Sequence, residues 1–240
     1  MRFVHRLRSK WTIWLPVSSV GIAPREVLLT FDDGPDPQVT RRLLDVLKTT
    51  EVRAVFCVCG QSVRAAPELI RRIADEGHLI VNHGEFHRVQ AVLSERSLHN
   101  EIEDCDRTIR HALGYSTFRT EFFRPACGLW TPVVERVLAR SNKRLMPVTH
   151  FGWDTNVTEH SYQKWIAVTL KAAHADNGGI FVLHERHLSA WSKFKDHSND
   201  RGWVPNATSE LTTQLRLDGF TILDPHIWRV RMSRLTRLYP

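Results

Sequence analysis

Short apolar runs alternate with amphipathic stretches of helical length along almost the whole chain, and that rhythm leaves few architectures open. The runs fall at 27–31, 54–58, 78–81, 122–124, 145–149, 180–183 and 220–223. Stretches near 38–49, 67–76, 95–113, 131–140, 161–176 and 207–218 carry apolar residues at helical spacing. Pro67 and Pro132 suit the first turn of a helix, while Gly77, Gly114 and Gly219 suit helix ends. Strand–helix alternation implies parallel pairing with helices outside, either a doubly wound sheet or a closed barrel. No repeat or linker divides the pattern, so a single α/β domain is expected over 24–226.

The flanks differ from this body. Residues 1–23 form a basic arm followed by a modestly apolar stretch with Trp11 and Trp14. It has the outline of a signal peptide, but Pro16, Ser18 and Ser19 dilute the apolar part. It is too short to span a bilayer, and a peripheral, membrane-surface arm is the expectation. The 227–240 segment reads as a solvated basic tail. Residues 186–205 form a long loop whose Trp191 and Trp203 suit glycan or lipid contact, or simple packing. Cys57 and Cys59 alternate with Val58 and read as buried hydrophobes rather than a disulfide pair. The compartment stays open, with the cytoplasm or inner membrane surface favoured over secretion. A net charge of +7 suits anionic surroundings. A nucleic-acid partner is not expected, because no reader motif or basic stripe beside aromatics accompanies that charge.

Chemically suggestive residues recur at the carboxyl ends of the apolar runs: Asp32 and Asp33, His83 and His87, Arg124, Asp154 and His184. Parallel strands all point one way, so these ends converge on one rim. The turn residues Gly34 and Pro35 end the first run and let both carboxylates reach that rim. Two carboxylates in one cavity repel unless cations divide their roles, as a metal on one and an arginine on the other would. His83 and His87, four apart, can grip one ion together with Asp33. Two imidazoles and one carboxylate leave coordination positions open, as catalytic sites do. Zinc is the first expectation, and cobalt, nickel, manganese or iron would also suit the set.

L-T-F-D-D-G-P-D-P, A-V-F-C-V-C-G and A-P-E-L-I-R-R-I-A-D-E-G-H-L-I-V-N-H, in that order, closely resemble the polysaccharide deacetylase family, also called carbohydrate esterase family four. F-F-R-P-A-C-G and G-G-I-F-V-L-H resemble later motifs, so the likeness runs from about Val27 to Asp224. The resemblance implies a distorted (β/α) barrel of about seven parallel strands and metal-dependent removal of N-acetyl groups from amino sugars. Asp32 matches the catalytic base, and Asp33, His83 and His87 match the metal ligands. Arg124 matches the arginine that orients the base, and His184 matches the acid. Asp154, in G-W-D-T, is the candidate partner of that acid.

The expected substrate is a polysaccharide, oligosaccharide or lipid-linked amino sugar. An O-acetyl esterase and a glycan-binding barrel without catalysis are the alternatives. The chain departs from the family pattern at Gly84, where Ser or Thr is usual, and at Ala126 and Cys127, where Pro and an aromatic residue are usual. Cys127 is expected to offer a peptide N–H to the oxyanion and Trp130 to line the sugar groove. Trp153 reads as packing.

Overall fold

The computed structural model describes residues 12–186, 188 and 201–235. Its centre is an eight-stranded sheet in which every pairing is parallel. The strands are β1 (Glu26–Asp32), β2 (Val55–Val58), β3 (Leu79–Asn82), β4 (Phe122–Phe123), β5 (Arg144–Leu145), β6 (His150–Phe151), β7 (Gly178–His184) and β8 (Thr221–Ile222). Seven of them run in the order β5-β4-β3-β2-β1-β7-β6, and β8 takes the start of β1, at Glu26 and Val27. The helices are α1 (Val39–Thr49), α2 (Gly60–Ala65), α3 (Pro67–Asp75), α4 (Glu95–Leu113), α5 (Pro132–Arg140), α6 (Tyr162–Asp176), α7 (Val204–Leu217) and α8 (Pro225–Leu235).

Side-chain alternation divides β1 between two environments. Val27, Leu29 and Phe31 point outward into the core shared with the helices. Leu28 points into the barrel with Val55, Cys57, Val81, Phe122 and Ile180. Helix α1 covers the outer face with Val39, Leu43, Leu44 and Leu47, a stripe at helical spacing. Ser94 caps α4 by accepting the Ser97 N–H, and Thr131 caps α5 by accepting the Val134 N–H. Gly114 ends α4 in the left-handed region at φ 76°.

The apolar run at 145–149 is not one strand. It contributes Leu145 to β5, then crosses to β6 at the opposite end of the strand order, so the sheet must curl until its ends nearly meet. Met146 N–H donates to Phe123 O on one side, and Thr149 N–H donates to Ile180 O on the other. The amino-terminal segment seals this gap. Ile13 N–H donates to Gly128 O, Leu15 N–H to Val148 O, and Val148 N–H to Ile13 O. Ile13 is buried with Val148 and Val182, so the chain from Thr12 onward is built into the barrel wall.

The tail also departs from expectation over its first turns. Trp228 on α8 is fully buried, donates its indole N–H to Val20 O and packs on Phe122 at 4.9 Å. Burial of a whole indole outweighs the polar character of the surrounding arginines. Trp203 is buried too: it stacks on Tyr162 and meets Trp165 edge-on, and so serves the core rather than a glycan. Residues 1–11, Trp191 and the end of the basic tail lie outside the described residues. No described helix is long and apolar enough to cross a membrane.

Candidate active site

Strand register brings the first two reacting groups together. Asp32 ends β1, His184 ends β7, and the two are register partners, so both side chains leave the sheet on its inner face. Asn82 ends β3 opposite Phe123 of β4, which sets His83 and Arg124 one residue beyond on neighbouring strands. Asp32, Asp33, His83, His87, Arg124 and His184 line one cavity of about 520 Å³, within the usual range for small-molecule sites.

Arg124 is held before it meets Asp32. Its guanidinium donates to the Met146 and Pro147 carbonyls and to the Thr30 hydroxyl, and it is buried. One of its N–H groups then donates to Asp32 Oδ1 at 2.5 Å. Such a charge-assisted bond fixes the carboxylate's direction.

Asp33 turns away at φ 72°, in the left-handed region that non-glycine residues seldom enter. That turn aims Oδ1 at the histidines: His83 Nε2 and His87 Nε2 each lie 3.4 Å from it. His83 Nδ1 is 2.7 Å from Arg124 O, which assigns the proton to Nδ1 and the lone pair to Nε2. Burial lowers the His87 pKa to about 4, so this imidazole is neutral near neutral pH. Burial opposes charge on Asp33, yet His87, His83 and His184 outweigh it and hold the carboxyl well below the usual range. Asp33 Oδ1 is buried without a hydrogen-bond donor, and the ligand atoms of Asp33, His83 and His87 all lie within 4.8 Å of one another. Three converging buried acceptors suit a cation, and the two-nitrogen, one-oxygen set fits zinc or a similar divalent ion.

The metal loop is anchored from behind. Asn82 Oδ1 accepts the Gly84 N–H, and Asn82 Nδ2 donates to Asp106 Oδ1. Asp106 is fully buried and also accepts from Thr120 and, at 2.7 Å, from Lys143 Nζ. Glu101 accepts the Phe86 N–H.

His184 is clasped by Asp154, which accepts its peptide N–H at 2.6 Å and faces its ring Nδ1 at 2.8 Å. Arg201 closes this arrangement, donating to Asp154 Oδ2, to Asp154 O and to His184 O. Burial pushes the His184 imidazole toward neutrality, but Asp154, with Asp33 and Asp32, outweighs it and raises the pKa to about 9. Glu185, the next residue, is fully buried against Gly34 and accepts from the Thr40 hydroxyl. Burial raises its pKa to about 8, which keeps further negative charge away from Asp32 and Asp33 near neutral pH.

Cys127 lies on the cavity wall at φ 54°. Trp130 does not line the cavity. The turn into α5 packs it, partly buried, against the Val134–Leu138 cluster and the Ile13 cluster. Trp153 behaves oppositely to its sequence reading: at φ 52° it is 57% exposed and lines the cavity, edge-on to Phe151. Ile13 and Trp14 also line the cavity, and no spacing in the sequence links them or Arg201 to the strand ends. No local signal in the sequence marks Arg201.

The sequence matches the family model described as polysaccharide deacetylase over residues 21–146. It is 33% identical over 198 residues to a chitooligosaccharide deacetylase of a Bradyrhizobium species, covering 82% of this chain and 88% of that protein. It is 34% identical over 130 residues to a peptidoglycan-N-acetylglucosamine deacetylase of Bacillus cereus, covering 54% and 45% of the two chains. Among solved structures, the T48 deacetylase with substrate superposes with a TM-score of 0.69 at 27% identity, covering 85% of this chain and 90% of that one.

Proposed function

Since this chain belongs to the polysaccharide deacetylase family and is a hydrolase of carbon–nitrogen bonds other than peptide bonds, we propose that it removes N-acetyl groups from amino sugars of a glycan or oligosaccharide, free or lipid-linked. The observation that carries the reading is one cavity holding the Asp33, His83 and His87 group together with Asp32 and His184.

Asp33, His83 and His87 would hold a divalent ion. When bound, that ion supplies acidification of water and polarisation of the amide carbonyl. Asp32, oriented by Arg124, accepts the proton that water gives up as it attacks. The peptide N–H of Cys127 is our assignment for a donor to the developing oxyanion. An amine leaves poorly unless protonated, and His184, charged through its pairing with Asp154, delivers that proton to nitrogen. Arg201 keeps Asp154 in place and touches no reacting atom. Asp32 and His184 side by side give the base and the acid access to the same carbonyl.

Acetate release from N-acetylglucosamine oligomers, measured before and after chelation and after zinc is returned, tests the reading. We expect release that chelation abolishes and zinc restores. Release from an O-acetylated glycan but not from the oligomers would replace the amidase with an esterase.

A further inference from the structure

The residue that follows His184 takes no part in the cavity wall, yet it carries a carboxyl into the interior. Glu185 is fully buried, and its Oε1 has no hydrogen-bond partner among the described residues. An unpartnered polar atom shut away from water weakens a fold. The other contacts of Glu185 show what offsets that loss, and they all fall on the turn after β1.

At the start of the turn, the Glu185 peptide N–H donates to Asp32 O at 3.3 Å. At its far end, Thr40 Oγ1 accepts the Asp36 N–H at 2.7 Å and donates in turn to Glu185 Oε2. Between these ends the carboxyl lies over Gly34, where a Cβ would come within 1.6 Å of Oε1. Position 34 is glycine because the acid fills the space a side chain would take. Other elements hold the middle of the turn: the Ser62 hydroxyl donates to Asp33 O at 2.8 Å, and the Cys59 N–H donates to Gly34 O at 3.0 Å.

This bracing matters because Asp33 sits at φ 72°, a conformation that persists only where its surroundings over-determine it. The same turn sends Asp32 toward Arg124 and Asp33 toward His83 and His87. Glu185 therefore joins three directions, because it also follows His184 in the chain.

Resting on the deacetylase reading, we propose that Glu185 is a positioning residue: it staples the Asp32–Asp36 turn through Thr40 and Gly34, and so fixes the base and the first metal ligand relative to His184. It lines no part of the cavity and touches no reacting atom. Burial keeps its carboxyl neutral near neutral pH, so Gln is its conservative replacement, whereas Met keeps the bulk and removes the acceptor.

The test measures kcat and KM on N-acetylglucosamine oligomers, the visible spectrum of the cobalt-loaded protein and urea unfolding for Glu185→Gln, Glu185→Met and Thr40→Val. Glu185→Met should fold and lose kcat about 10–100-fold with KM within about twofold, as a small misplacement of reacting groups does. Its cobalt spectrum should change. Thr40→Val, which cuts the link to Asp36, should show the same two effects, and Glu185→Gln should stay near wild type. Because one chain of contacts is broken in both, Thr40→Val combined with Glu185→Met should be no worse than the weaker single variant. Wild-type kcat and spectrum in folded Glu185→Met overturn the proposal, and so does lost stability with kcat unchanged. A Glu185→Gln protein as impaired as Glu185→Met, or additive losses in the double variant, overturns it too. If Glu185→Met does not fold, Thr40→Val decides on the same readouts. No acetate release from the wild type sinks the deacetylase reading and leaves the cobalt spectra to judge the staple, whereas release that neither variant disturbs sinks this proposal alone.

Discussion

Asp32 and His184 are register partners at the carboxyl ends of two adjacent parallel strands, so the proposed base and acid stand side by side on the inner face of one sheet. This relation follows from backbone pairing and needs no loop to create it. The flanking groups then divide their charges: Arg124 pairs with Asp32, and Asp154 pairs with His184.

That division predicts a pH limb. The folded pKa of His184, about 9, lies above the ordinary histidine value of about 6.5. The charged acid is therefore present below pH 9 and is lost as pH rises through it, and kcat/KM should fall on that limb. By the same sign, the charge on His184 stabilises the fold fully below pH 6.5, and that contribution disappears through pH 9. Asp154→Asn should bring the activity limb down to about pH 7 or lower, as burial then dominates. A limb that stays near pH 9 in the variant would assign it to another group.

Gly84 gives a prediction about the metal loop. Its φ is 87°, and a Cβ there would sit 3.3 Å from Glu101 Oε2. Gly84→Ser, although it restores a common family residue, should cost about 1–2 kcal/mol of stability and weaken zinc binding. Urea unfolding of the apoprotein and a zinc titration check the two effects separately.

The Asp106–Lys143 pair predicts a larger loss. Lys143→Met would leave Asp106 buried without its cation, at a cost of about 3–5 kcal/mol in chemical denaturation. Because Asp106 also holds Asn82, whose amide oxygen fixes Gly84, zinc affinity should fall as well. A stable variant with normal metal affinity would remove this pair from the support of the site.

Much of the fold was legible because parallel pairing turns strand ends into neighbours. Asp32, Asp33, His83, His87, Arg124 and His184 each follow or close an apolar run, and the structure brings them to one cavity. The 145–149 run misled because its apolar residues cross between the two sheet ends instead of forming one strand, and apolar character alone does not distinguish the two. Ile13 and Trp228 were hidden for a related reason: each fills a space that exists only after the barrel curls. Arg201 has no local pattern at all, since its partner Asp154 sits 47 residues away in the chain. Trp130 and Trp153 exchanged roles because the backbone turns at their positions decide which ring faces the mouth.

Metal content and turnover measured on Asp33→Ala and Asp32→Asn beside the wild type bear most directly on the proposed division of labour. Asp33→Ala should lose both zinc and acetate release. Asp32→Asn should keep near-stoichiometric zinc while kcat falls about 10²–10⁴-fold. Wild-type turnover in Asp32→Asn, or full zinc content in Asp33→Ala, would contradict it.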